Sequence, residues 1–176
     1  MEHTVSLTLF DEVWPLYQGA FEEINKHAVQ RHMMTYEEFA DAMEDTRIGK
    51  WLARDDDGGL VGMGIMTNDL TAWPLISPDY FEYHWPKEYL ERKIWYIGFV
   101  CTRKPTAPSS TFPALISEMY MPTVEADGIA VMDFAAANVA RRLPEASSKI
   151  LNRVVPTTGV NIDTQHFWTF HPTRSA

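Results

Sequence analysis

The residues best suited to chemistry gather just past the middle of this chain. From Arg92 to Ser117 there are four basic residues, Arg92, Lys93, Arg103 and Lys104, and no acidic one. The whole chain carries 15 Lys and Arg against 24 Asp and Glu, a net charge of −9. That stretch is therefore a local positive field able to draw an anionic ligand, with a solvated face as the alternative. It runs into Ser109-Ser110-Thr111, three hydroxyl residues of the kind that cap a helix start. A second basic group, Arg141, Arg142, Lys149 and Arg153, surrounds the single Glu145. Cys101 is the only cysteine, and no His is placed by the sequence to activate it, so packing is its expected role. His27 and His32 stand about 140° apart around a helix, and His166 and His171 face opposite sides of a strand, so no metal site is expected. Gly62-Met63-Gly64 lacks the third glycine and following helix of a dinucleotide turn, and reads as a closely packed strand.

These residues must be positioned by regular elements. Residues 4–9 alternate as a strand does. Val13, Leu16, Tyr17, Ala20, Phe21 and Ile24 form an apolar stripe of helical period, with Asp11 and Glu12 expected in its first turn. Thr35-Tyr36-Glu37-Glu38 has the form of a capping box and opens a second helix burying Phe39, Ala42 and Met43. Residues 50–54 and 60–67 read as a hairpin around Asp55-Asp56-Asp57-Gly58-Gly59. From Asp69 to Glu91, Trp73, Tyr80, Phe81, Tyr83, Trp85 and Tyr89 stand among prolines, which suggests an aromatic-lined loop. Residues 94–102 are apolar on both faces, as a mid-sheet strand is. Leu115, Ile116, Met119 and Val124 mark a helix, and residues 129–134 another buried strand. Residues 138–155 form a helix broken near Pro144, and His166–Phe170 form a last strand.

With 176 residues, 45% hydrophobic and 22% charged, the chain reads as a single folded domain over residues 1–176, α+β or mixed α/β. The acidic balance disfavours nucleic acid and anionic membranes as partners, and no apolar run approaches the roughly 20 residues that span a bilayer. One cysteine and the lack of an N-terminal apolar segment point to the cytoplasm.

The order of elements, together with Phe10-Asp11-Glu12-Val13-Trp14-Pro15-Leu16-Tyr17-Gln18-Gly19-Ala20-Phe21 in the first helix, resembles the GNAT superfamily of acyl-CoA-dependent N-acyltransferases over most of the chain. The resemblance implies a twisted mixed sheet splayed near its centre and transfer of an acyl group from a CoA or carrier-protein thioester to an amine, by direct attack. In that family the central strand runs into a glycine-rich loop holding the CoA pyrophosphate. This sequence has Pro105-Thr106-Ala107-Pro108-Ser109-Ser110 there, and the two prolines have no N–H to donate. The implied cofactor site therefore rests on Arg103, Lys104 and the helix start at Ser109, Ser110 and Thr111, with backbone groups of Phe99, Val100 and Cys101 for the pantetheine and Asn138 beside it. The family's tyrosine acid would fall at Glu145 and its glutamate base near Ile94. Tyr96, on the same strand face as Ile94, is then the candidate acid, or else a core tyrosine. Glu82 and His84 are candidates for the base or a water chain. Trp73, Tyr80, Phe81, Tyr83 and Trp85 would line the pocket for an acceptor or a long acyl chain. Acetyl-CoA or another acyl-CoA is the implied donor, a small amine or an acyl carrier protein the implied partner, and a homodimer is left open. The other reading is a catalytically silent domain of this shape that binds a small molecule or a protein.

Overall fold

The computed structural model describes residues 7–103 and 110–171. It is an α+β fold: a four-stranded mixed sheet with helices on both faces. Helix α1 (Leu7–His27) begins earlier than the sequence suggests. Leu7, Thr8 and Leu9 are helical rather than strand, and Thr4–Ser6 lie outside the described residues. Asp11 and Glu12 consequently fall beyond the first turn. The expected stripe holds: Val13 and Tyr17 are buried against the sheet. Helix α2 (Tyr36–Glu44) starts at the capping box, with the Glu38 amide donating to Thr35 Oγ1 at 3.2 Å and the Thr35 amide donating to Glu38 Oε2 at 2.7 Å. At its far end, the buried Lys50 ammonium donates to the Asp45 carbonyl at 2.6 Å and ties that end to the next strand.

Strands β1 (Gly49–Arg54) and β2 (Leu60–Thr67) are the antiparallel hairpin. The aromatic stretch is more ordered than a loop: a 3-10 turn at Leu70–Ala72, then helices α3 (Pro78–His84) and α4 (Pro86–Leu90), each started by a proline whose missing N–H costs nothing there. Strand β3 (Ile94–Thr102) is interior, antiparallel to β2 and parallel to β4 (Ile129–Met132), so the sheet order is β1-β2-β3-β4. Helix α5 (Thr111–Glu125) runs through Pro122 and connects the parallel pair. Strand β4 stops two residues short of expectation, and its residues are half-buried rather than buried. The broken helix is α6 (Ala136–Ala140) and α7 (Leu143–Val154). The break falls at Arg142, which takes a left-handed conformation with φ 60°, and Leu143 is already helical. His166–Phe170 form no strand; the segment is irregular and exposed.

The two sheet faces are packed differently. On one side α1 and α2 lay Phe10, Trp14, Tyr17, Phe21, Tyr36 and Phe39 into a network of ring contacts that reaches Phe99 of β3. On the other, α5 lies close because Gly62 and Gly64 present no side chain. A Cβ on Gly62 would come within 2.8 Å of Leu115 and Thr111, and one on Gly64 would meet the Met119 sulfur. The glycine pair is thus a packing device, as its sequence context suggests.

Candidate functional site

The β2–β3 register shifts between Ile65 and Met66: Ile65 faces Phe99 and Met66 faces Ile97, leaving Gly98 as an extra residue in β3. Such a bulge bends the strand that carries it. Gly98 can occupy the bend because the Trp73 indole fills the space where a side chain would be; a Cβ there would lie 2.8 Å from the ring. β4 pairs with β3 only from Ile94 to Ile97. Beyond that point, among the described residues, β3 has a neighbour on the β2 side alone. The result is a fork between two parallel strands at their carboxyl ends, the position where open α/β sheets hold ligands.

The backbone at the fork has a definite direction. The Arg103 amide donates to the Val61 carbonyl at 2.8 Å, so residues of the same parity, Phe99 and Cys101, also turn their amides to β2. Val100 and Thr102 turn theirs toward the fork. Of the three residues expected to supply backbone groups, Val100 alone is placed to do so. Phe99 and Cys101 are buried on the aromatic face, and burial pushes the Cys101 thiol up to about 12. That thiol packs; it is not poised as a nucleophile.

Three polar side chains meet at the base of the fork. Tyr96, 4% exposed, donates its hydroxyl to Asp133 Oδ1 at 2.6 Å. Burial holds this phenol far above its usual range, and the Asp133 carboxylate adds to the effect. Tyr96 is therefore a fixed hydrogen-bond donor that orients a carboxylate rather than a free acid. Asp133 directly follows β4; its other oxygen, Oδ2, lies 4.0 Å from His32 Nδ1, and its side chain is 58% exposed. His32, only 19% exposed at the side chain, comes from the connection between α1 and α2, where its amide donates to Asn25 Oδ1 at 3.2 Å. The buried Tyr96 phenol holds the accessible Asp133 carboxylate by a hydrogen bond, and the half-buried His32 imidazole stands 4.0 Å from that carboxylate, an ion-pair separation rather than a hydrogen bond. The Trp73 ring, 6.0 Å from that of Tyr96, forms the wall beside them.

The other expected residues are dispersed. Glu82 and His84 lie on helix α3, where a spacing of two turns side chains to opposite sides rather than one; both are exposed, and His84 rests against Tyr80. Of the five aromatic residues, Tyr80, Phe81 and Trp85 are in mutual ring contact, Trp73 is buried beside Tyr96 and Tyr83 is 82% exposed. Lys104 and Ser109 lie outside the described residues. Ser110 sits at the start of α5 without a side-chain cap, and Thr111 packs its methyl group over Gly62. Asn138 is half-buried in α6, at the same end of β4 as Asp133.

The positive field divides. Arg92 pairs with Asp69 at 2.9 Å and Lys93 with Glu91 at 2.8 Å at the start of β3, while Arg103 stands roughly 33 Å away along the chain past the other end of that strand. Arg103 Nη2 donates to the Leu60 carbonyl at 2.6 Å and Nη1 lies 4.0 Å from Asp55, so this cation leans onto the hairpin. Asp133 and His32 were not legible as a site in the sequence, although Asp133 had one signal: a carboxylate at the carboxyl end of a parallel strand. Among the described residues no group of His, Cys, Asp and Glu is arranged to hold a metal ion, and no helix is long and apolar enough to cross a membrane. Compared with protein-family models, with curated protein sequences and with solved structures, the chain matches none.

Proposed function

We propose that this chain transfers an acyl group from a coenzyme A or carrier-protein thioester to an amine. The observation that carries the reading is the fork past Ile97 and Met132, with the Val100 amide on one side and the Tyr96–Asp133–His32 group at its base. A pantetheine arm would lie in the fork along the unpaired edge of β3, with the thioester oxygen accepting from the Val100 N–H. The amine, reaching the carbonyl carbon from the Asp133 side, loses a proton to the His32 imidazole as the C–N bond forms. Asp133 stabilises the imidazolium, and the Tyr96 hydroxyl keeps Asp133 in place. When the C–S bond breaks, the same proton returns to the departing thiolate. Of the element order that resembles the GNAT superfamily, the two terminal strands are not found among the described residues, since residues 7–9 are helical and His166–Phe170 irregular. What supports the same reaction class is the remaining order of two helices, hairpin, β3, α5 and β4.

A second reading, a silent domain that binds a ligand or partner, is favoured by the pairing of Arg92, Lys93 and Arg103 and by the prolines at 105 and 108. A thermal-shift titration with acetyl-CoA, longer acyl-CoAs and free CoA separates the two. A ligand at 100 times its Kd adds about 2.7 kcal/mol of stability, and acyl transfer to a panel of amines should accompany it. Absence of any shift with every thioester removes the transferase reading. A shift without turnover leaves the binding domain.

A further inference from the structure

The sheet has an open edge at β4. The Ile129 amide donates to the Lys93 carbonyl at 2.8 Å, so in a parallel ladder Ile129 and Val131 turn their polar groups to β3, and Ala130 and Met132 turn theirs outward. Among the described residues no strand pairs with that outward side. All four residues of β4 are half-exposed, whereas the other edge strand, β1, has its first three residues buried. Unpaired strand edges of this kind template the addition of another strand.

A matching strand exists elsewhere in the same chain. Every residue from 158 to 171 is exposed, and among them Phe167 is 52%, Trp168 78% and Phe170 88% exposed. Aromatic residues and threonine in this order are strong strand formers, and a strand needs a partner. Among the described residues the segment pairs with no strand of its own molecule. Asn152 and the Tyr120 hydroxyl hold Thr157, then the Tyr80 hydroxyl of α3 donates to the Ile162 carbonyl at 3.0 Å, and the residues beyond that tether project from the surface.

We propose that two copies of this chain form a symmetric dimer in which each contributes His166–Phe170 as a strand on the outer edge of the other's β4. Exchange by a two-fold axis covers both open edges and both aromatic segments in one association. The exposed parts of three aromatic side chains on each of two copies amount to roughly 650–1,100 Å², and the surfaces they cover add a comparable area, which falls in the range of stable interfaces. Charge permits it: neither Ile129–Met132 nor the run from Thr164 to His171 contains an acidic residue, in a chain of net charge −9. The proposal is independent of acyl transfer at the fork.

Light scattering on the full chain across a concentration series should give twice the chain mass. A chain ending at Ile162 should be monomeric, as should one carrying Ala130→Pro, which removes an outward amide without touching the β3 ladder. Mixed together, these two monomers should form a one-to-one dimer, because one retains the strand and the other the edge. Serine at Phe167, Trp168 and Phe170 together changes exposed residues only and should also give a monomer, with the melting temperature of the wild-type chain diluted until it dissociates. The proposal is overturned by a full chain that stays monomeric at its highest soluble concentration, by a dimer that survives truncation at Ile162, or by tail amides protected from exchange in a monomer.

Discussion

The two halves of β3 differ in what holds them. Ile94–Ile97 has β4 alongside, and its flanking charges are closed in pairs, Arg92 with Asp69 and Lys93 with Glu91. Among the described residues, Phe99–Thr102 has β2 alone. The change occurs at Gly98, and the Tyr96–Asp133–His32 group sits just before it. A strand can thus serve as scaffold at one end and offer free backbone groups at the other, provided the transition is built into its register. What makes the transition is one extra residue backed by a buried indole.

If chemistry occurs at the boundary between the halves, the largest effect belongs to Asp133. Asp133→Asn keeps the size and an acceptor for Tyr96 but loses the charge that stabilises the His32 imidazolium. Turnover should fall by about 10²–10⁴, with urea stability changed by less than about 1 kcal/mol because the side chain is exposed. His32→Gln should fall to a similar level, and the double variant should fall no further. Additive losses would show that the two residues do not act as a unit.

The boundary itself is tested by Gly98→Ala. The added carbon would lie 2.8 Å from a Trp73 ring that is 4% exposed and cannot move aside, so about 1–3 kcal/mol should be lost in urea denaturation. Gly64→Ala should cost less, since the atom it meets belongs to the flexible side chain of Met119. Equal losses would mean that the bulge has no special backing.

Sequence reasoning reached what is local. The capping box at Thr35, the hairpin, the bounds of β3 and the close packing at Gly62 and Gly64 are each fixed by neighbours a few residues apart. It failed where partners are distant. Tyr96 and Asp133 are 37 residues apart, and neither residue signals the other. The four basic residues from Arg92 to Lys104 looked like one cluster because a strand's length is invisible in a list of residues. His166–Phe170 had the composition of a strand, but composition does not supply the neighbouring edge. The sequence of the Glu82 and His84 segment suggests an aromatic-lined loop; the prolines that start α3 and α4 make it helical instead, and a spacing of two on a helix turns the two side chains apart.

The open half is open only at its backbone, and Cys101 tests that distinction. Its side chain is 3% exposed, and burial raises the thiol from 9.0 to about 12. Between those values the unfolded chain releases a proton that the folded chain keeps, so stability falls as pH rises above 9, by about 1.4 kcal/mol per unit. Lys50, pushed down to about 8 by burial, acts in the opposite sense up to 10.5. It is common to wild type and Cys101→Ala, so the difference between their urea stabilities isolates the thiol. That difference should shrink by about 1 kcal/mol between pH 9 and pH 10. A constant difference would place the thiol in contact with solvent and the aromatic face open as well.

The smallest signal resolves the comparison residue by residue. Backbone alternation assigns the Phe99 and Cys101 amides to the β2 ladder and those of Val100 and Thr102 to the fork. In amide exchange followed by NMR, Val100 and Thr102 should exchange faster than their two neighbours, by roughly tenfold for each 1.4 kcal/mol separating their opening free energies. Saturation with an acyl-CoA should then slow Val100 and leave Phe99 and Cys101 unchanged. Uniform protection along Phe99–Thr102 would mean that a further backbone partner already occupies the edge, and the thioester would have no donor there.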